Sequence, residues 1–187
     1  LPVESNVSGS PLADLARRQD GPTVDQIWVA LSPGERQESL KAYLASDKSN
    51  RAALLAVAAT LPALRAFRKQ TIQQMPDSRL IEIVAKATRL APGILHDLLL
   101  SLHLTGRRAM LQSFLDLLGI PHTDGIIQDG TSVAAAAQGD RLVGAVARLR
   151  DQYPARDTSI YLLTLIAMDP DSWGALRPLV AAQADAG

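Results

Sequence analysis

PGILHDLLLSLHLTGRRAMLQSFLDLLG, residues 92–119, is the most hydrophobic stretch of the chain, and its reading decides the fold class. Pro92 and Gly93 open it, Thr105-Gly106 divides it, and Gly119 followed by Pro121 closes it. The spacing predicts two helices joined as a hairpin over residues 93–118. At about 100° per residue, Leu95, Leu98, Leu99 and Leu102 share one side of the first helix, and Leu100 and Leu104 share the other. His96 and His103 fall between these stripes. A helix that is apolar over most of its circumference packs among other helices. The hairpin is therefore expected to be the hub of the core, with both histidines as hydrogen-bonded interior residues. The second helix carries Met110, Leu111, Phe114, Leu115, Leu117 and Leu118. Residues 94–104 are too short, and too interrupted by His96 and Asp97, to cross a bilayer.

Upstream of the hub, Ser32-Pro33-Gly34-Glu35 is the clearest local signal. Ser32 can cap a helix, Pro33 suits its first turn, and Glu35 completes a capping box. Leu40, Tyr43 and Leu44 then face inward. Val24, Ile27, Trp28 and Leu31 define a short helix before it. Residues 51–61 form an Ala- and Leu-rich helix, Pro62 interrupts it, and Met75-Pro76-Asp77-Ser78 starts another with Leu80, Ile81, Ile83, Val84 and Ala87 buried. Residues 1–22 read as a flexible N-terminal arm with an apolar patch at Leu12, Ala13, Leu15 and Ala16 that could dock as a turn of helix.

Downstream, residues 119–130 (GIPHTDGIIQDG) are the longest irregular stretch. Asp124-Gly125 and Asp129-Gly130 are turn dipeptides, and a small hairpin pinned to the core by Ile126 and Ile127 fits between them. Residues 132–150 are helical with a weak point at Gly139, and Leu142, Val143, Val146 and Leu149 form the apolar face. Residues 157–168 form a strongly apolar helix. A last helix carries Trp173, Leu176, Leu179 and Val180, with Pro178 as a kink or stop.

The composition agrees with this pattern. Hydrophobic residues make up 47% but aromatics only 4%, which favours helices packed through Leu and Ala. A chain of 187 residues can bury enough surface to fold without disulfide or metal. The expected architecture is all-α: a compact multi-helix bundle of about eight or nine helices, with residues 23–184 as a single helical domain. Proline-led helix starts at Pro33, Pro76 and Pro154 lack the constant spacing of a solenoid.

Zero net charge argues against nucleic acid, and the lack of cysteine excludes thiolate chemistry and disulfides. The chain begins at Leu1, as a processed protein or a piece of a longer one would, and its first residues lack the pattern of a signal peptide. The cytoplasm is the default location.

No metal motif fits the histidines, since pairs on a helix favour spacings of three or four and His96 and His103 are a heptad apart. No cofactor is indicated, and no nucleophile elbow, phosphate loop or carboxylate pair indicates a reaction. The sequence leans towards a non-enzymatic protein-interaction or scaffold domain, acting on a protein partner or on itself, with the Trp173 helix as a contact face if it is exposed. The alternative is an enzyme or small-ligand binder whose pocket lies beside residues 119–130, built from His103, Arg107, Arg108, His122 and Asp124. A pocket joining that loop to the hub would favour the alternative. A third reading, an anion or nucleic-acid binder, needs Arg65, Arg68 and Lys69 to share a face with Arg107, Arg108, Arg148 and Arg150.

Overall fold

The computed structural model describes residues 11–183. Helices take up 74% of the described residues, which fixes the class as all-α. They are α1 (Pro11–Arg17), α2 (Val24–Ala30), α3 (Pro33–Ser46), α4 (Asn50–Thr60), α5 (Lys69–Gln73), α6 (Asp77–Ala85) and α7 (Pro92–Ser101). After a π-helical turn at Leu102–Gly106 come α8 (Arg108–Leu118), α9 (Val133–Ala136), α10 (Gly139–Gln152), α11 (Ala155–Met168), α12 (Pro170–Trp173) and α13 (Arg177–Gln183). They outnumber the expected eight or nine because α1 and α5 are added and two expected helices are broken. Gly139, at φ +61°, separates α9 from α10. A short 3-10 turn, Gly174–Leu176, separates α12 from α13, and Pro178 occupies the first turn of α13, where its missing N–H costs nothing.

The apolar patch at the N-terminal end packs as α1 against α13, α11 and α2, burying Leu12, Ala13, Leu15 and Ala16. Residues 1–10 lie outside the described residues. α3 packs on α6, α7 and the π turn, while α11 touches α1, α2, α10, α12 and α13.

The hub differs from its expected form in one respect. Leu95, Leu98, Leu99 and Leu102 are fully buried, but Leu100 is exposed and His96 faces solvent. Helix α7 is therefore covered on one side and not all round. The expected contact face around Trp173 is also closed, because Trp173, Leu176 and Val180 are all buried.

The capping box forms as its sequence dictates. Glu35 N–H donates to Ser32 Oγ at 3.2 Å, and Ser32 N–H donates to Glu35 Oε2 at 2.6 Å. Arg156, at the start of α11, grips the same carboxylate with Nε and Nη2, both at 2.7 Å, and Nη2 also donates to Ala30 O. A local cap thus becomes a link between the α2–α3 corner and α11.

Arg36, one residue on, is buried. Its Nε donates to Trp28 O at 2.9 Å, Nη2 to Val29 O at 2.8 Å and Nη1 to Ala85 O at 3.2 Å. Val29 O and Ala85 O are carbonyls that the ends of α2 and α6 leave open, while Trp28 O also accepts from Leu31 N–H at 3.3 Å. The guanidinium also lies over the Trp28 ring at 5.5 Å, and Trp28 Nε1–H donates to Ala87 O.

Arg36→Ala is expected to lower unfolding free energy by about 2–4 kcal/mol, because it strands buried carbonyls. Arg36→Lys should recover less than half of that in a urea titration, since an ammonium cannot reach all of them. Acid should act through Glu35. Burial raises its pKa, but the hydrogen bonds from Arg156 and Ser32 outweigh this and hold it below the ordinary 4.5. The stability this confers is present above about pH 4.5 and is lost as pH falls through the lower folded value. Glu35→Gln should flatten the acid limb of a Tm-versus-pH curve.

Candidate functional site

The loop after the hub carries a hairpin. Gly119, at φ +64°, ends α8 in a left-handed cap, with Ile120 N–H on Leu115 O at 2.9 Å and the Ile120 side chain buried. Two short strands follow, β1 (His122–Thr123) and β2 (Ile126–Ile127), paired antiparallel with His122 opposite Ile127. Asp124 and Gly125 form the two-residue turn, both with positive φ, as an Asp-Gly hairpin requires. The pinning to the core falls on Ile120 and only half on Ile127, while Ile126 is 62% exposed, contrary to expectation.

His122 and Asp124 hold this hairpin to α8. His122 Nδ1 accepts from Gly125 N–H at 3.3 Å, which leaves the proton on Nε2 to donate to Asp116 Oδ1 at 3.1 Å. Asp124 Oδ1 accepts from Gln112 at 3.4 Å.

Beneath the hairpin lies a cavity of about 300 Å³. Gly125, Ile126 and Ile127 roof it, Leu104 and Leu111 of the hub form one wall, and Tyr161, Thr164 and Met168 of α11 form the other. Gly125 sits so close to Leu111 that an added Cβ would lie 3.4 Å from its side chain.

His103, only 2% exposed, lines this largely apolar chamber beside the hydroxyl-bearing Tyr161 and Thr164. It stands on the π turn, a geometry that recurs at functional sites. Its tautomer follows from its partners. The Thr164 hydroxyl has one proton and donates it to Ile160 O at 2.7 Å. It must then accept from His103 Nε2–H, 3.1 Å away. His103 Nδ1 is left as a lone-pair acceptor, buried and without a partner. Burial, and secondarily the charge of Arg107, push the imidazole pKa down to about 3, so the ring is neutral. Tyr161 lies beside it, tilted by 60° with ring centres 5.2 Å apart, and meets Phe114 edge-on at 5.7 Å, and Phe114 leans on Trp173. Burial raises the Tyr161 pKa and keeps its hydroxyl protonated.

The structure thus divides the five expected residues. His103 lines the cavity, and His122 and Asp124 fasten its roof. Arg107 stands behind it, its Nη2 paired with Asp157 at 2.9 Å and its Nη1 buried without a hydrogen bond. Arg108 turns away to Leu104 O. Arg150 is also drawn inward, to Leu179 O. Thr164 and Tyr161 were not singled out from sequence. The signal was a threonine and a tyrosine on the buried side of an otherwise aliphatic helix.

Among the described residues no group of three or more His, Asp or Glu is placed to hold a metal ion, and no helix is long and apolar enough to cross a membrane. No family model, curated protein or solved structure matches the chain.

Removing the imidazole should test its burial. His103→Ala is expected to cost about 1–3 kcal/mol, since Thr164 loses its donor. A pH signature should accompany it. Above about pH 6.5 the ring is neutral whether folded or unfolded; below that the unfolded chain binds a proton that the folded ring refuses until about pH 3. Stability should therefore fall over this window, by up to about 1.4 kcal/mol per unit. His103→Asn should remove that slope from the unfolding free energy measured between these limits.

Proposed function

We propose that the protein binds a small, neutral, largely apolar molecule carrying one hydrogen-bond donor, in the cavity between the hub, α11 and the hairpin. The observation that carries this reading is a largely apolar chamber with His103 in its wall, whose buried Nδ1 acceptor has no partner and would meet a ligand donor by a small turn of the ring towards the chamber. A buried acceptor left unpaired costs about 1–3 kcal/mol, and a ligand hydroxyl or N–H would recover much of it. A volume of about 300 Å³ lies at the small end of ligand sites and suits a one- or two-ring compound.

The electrostatics select for neutrality. A carboxylate would bring acceptor against acceptor, because the imidazole stays unprotonated until about pH 3. An ammonium would donate but would lose its hydration among leucines. The reading is of a binding protein and not an enzyme: a neutral histidine locked to Thr164 is a poor proton shuttle, and no nucleophile stands beside it. A soluble protein of the cytoplasm is the setting we infer for it.

The pair 2-naphthol and naphthalene tests this, since they differ by one donor. By fluorescence titration, 2-naphthol should bind about tenfold more tightly, the equivalent of one net hydrogen bond. His103→Leu should abolish the difference while leaving naphthalene binding in place. Equal affinities for the two compounds in the wild type, or binding of neither, would refute the proposal.

A further inference from the structure

A second surface carries its own inference, independent of the cavity. Between α4 and α5 runs a groove of about 490 Å³. Leu55, Leu64 and Ile72 form its floor, and Ala52, Ala56 and Ala59 form one bank. Phe67 stands on the rim, 49% exposed. From Arg51 to Pro76 the sequence contains no Asp or Glu, yet it contains Arg51, Arg65, Arg68 and Lys69. Arg51 is committed to Asp77 and Met75 O. Arg65, Arg68 and Lys69 are exposed and make no ion pair or hydrogen bond among the described residues. In a chain of zero net charge, this is an uncompensated basic rim around an apolar floor.

We infer that this groove docks an amphipathic helix with acidic flanks, supplied by a protein partner. The three alanines stand at i, i+4 and i+7, so they align along one face of α4 over about 10 Å. A ridge of such small side chains lets a second helix approach to about 8 Å between axes. Leucines on the incoming helix reach Leu55, Leu64 and Ile72, and Phe67 closes over them. Glutamates or aspartates on its flanks meet Arg65 and Lys69, which line the groove. A bilayer surface fits less well, because the floor residues Leu64 and Ile72 are buried in a concavity that a flat interface does not enter. Nucleic acid fits less well again, because the floor offers aliphatic groups where bases need aromatic faces or donors.

The probe is a labelled peptide of about 18 residues with leucines at i, i+3, i+4 and i+7 and glutamates on its flanks, long enough to hold helix. Its control replaces the glutamates with lysines. Fluorescence anisotropy against the full chain should show binding of the glutamate peptide, weakened by salt, and at least about tenfold weaker binding of the lysine peptide. The double charge reversal Arg65→Glu, Lys69→Glu should invert that preference, and Ala56→Arg should block both peptides by filling the groove. These positions are exposed, and an unchanged circular dichroism spectrum and Tm would show that the fold is kept. Binding of neither peptide, or equal binding of both, would overturn the inference. So would sedimentation with vesicles containing phosphatidylserine in the absence of peptide binding, which would assign the patch to a membrane surface.

Discussion

The guanidinium of Arg36 joins three helices, reaching from α3 to the ends of α2 and α6. Its donors close the open ends of α2 and α6 from a position on α3. The bonds to Trp28 O and Ala85 O are buried, where water cannot serve the carbonyls instead, and the bond to Val29 O is half-buried. The geometry of α3 is therefore not adjustable. From the next turn, buried Ser39 donates to Leu98 O at 2.7 Å, which sets the depth of α7. α3 also runs along the π turn, where the exposed Glu38 side chain lies over Gly106. The placement of His103 is the far end of this chain of constraints.

The cavity exists because the helical hairpin is not closed by an ordinary turn. Five residues of π-helix, Leu102–Gly106, carry α7 towards α8, and His103 and Leu104 of this turn line the cavity. Leu100 and Leu104, on the less covered side of the hub, line the cavity together with the β-hairpin and with Leu165 and Met168 of α11. A two-residue turn and short strands cannot fill that space as a helix would.

Much of the scaffold was legible in the sequence. Features fixed by neighbours three or four residues apart survive translation into structure: Ser32 with Glu35, the Asp124-Gly125 turn, the Gly119 stop. The apolar faces of α6, α8 and α10 also stand out, although Val143 proved exposed. What the sequence hid depends on partners far along the chain. Arg36 sits among Glu and Gln in a polar stretch and looks solvated, and only the fold brings Ala85 to it. The periodicity of α7 does not say which of its two leucine stripes is covered. Of the site, the loop and His103 were readable. The role of Thr164 was not, because its value lies in where its single proton goes.

The roof of the cavity is held differently from its walls. The walls belong to α8 and α11, whose buried side chains are shared with the whole core. The hairpin is held by one short ladder, the His122–Asp116 contact and a long Gln112–Asp124 bond, and Asp116 is largely in water. Lifting it exposes little apolar surface beyond Ile127 and leaves every helix intact. Entry and exit are thus decoupled from global unfolding: the chamber has a door whose hinges cost far less than its frame. The backbone amides of β1 and β2 are therefore expected to trade their protons for deuterium long before those of α8 and α11.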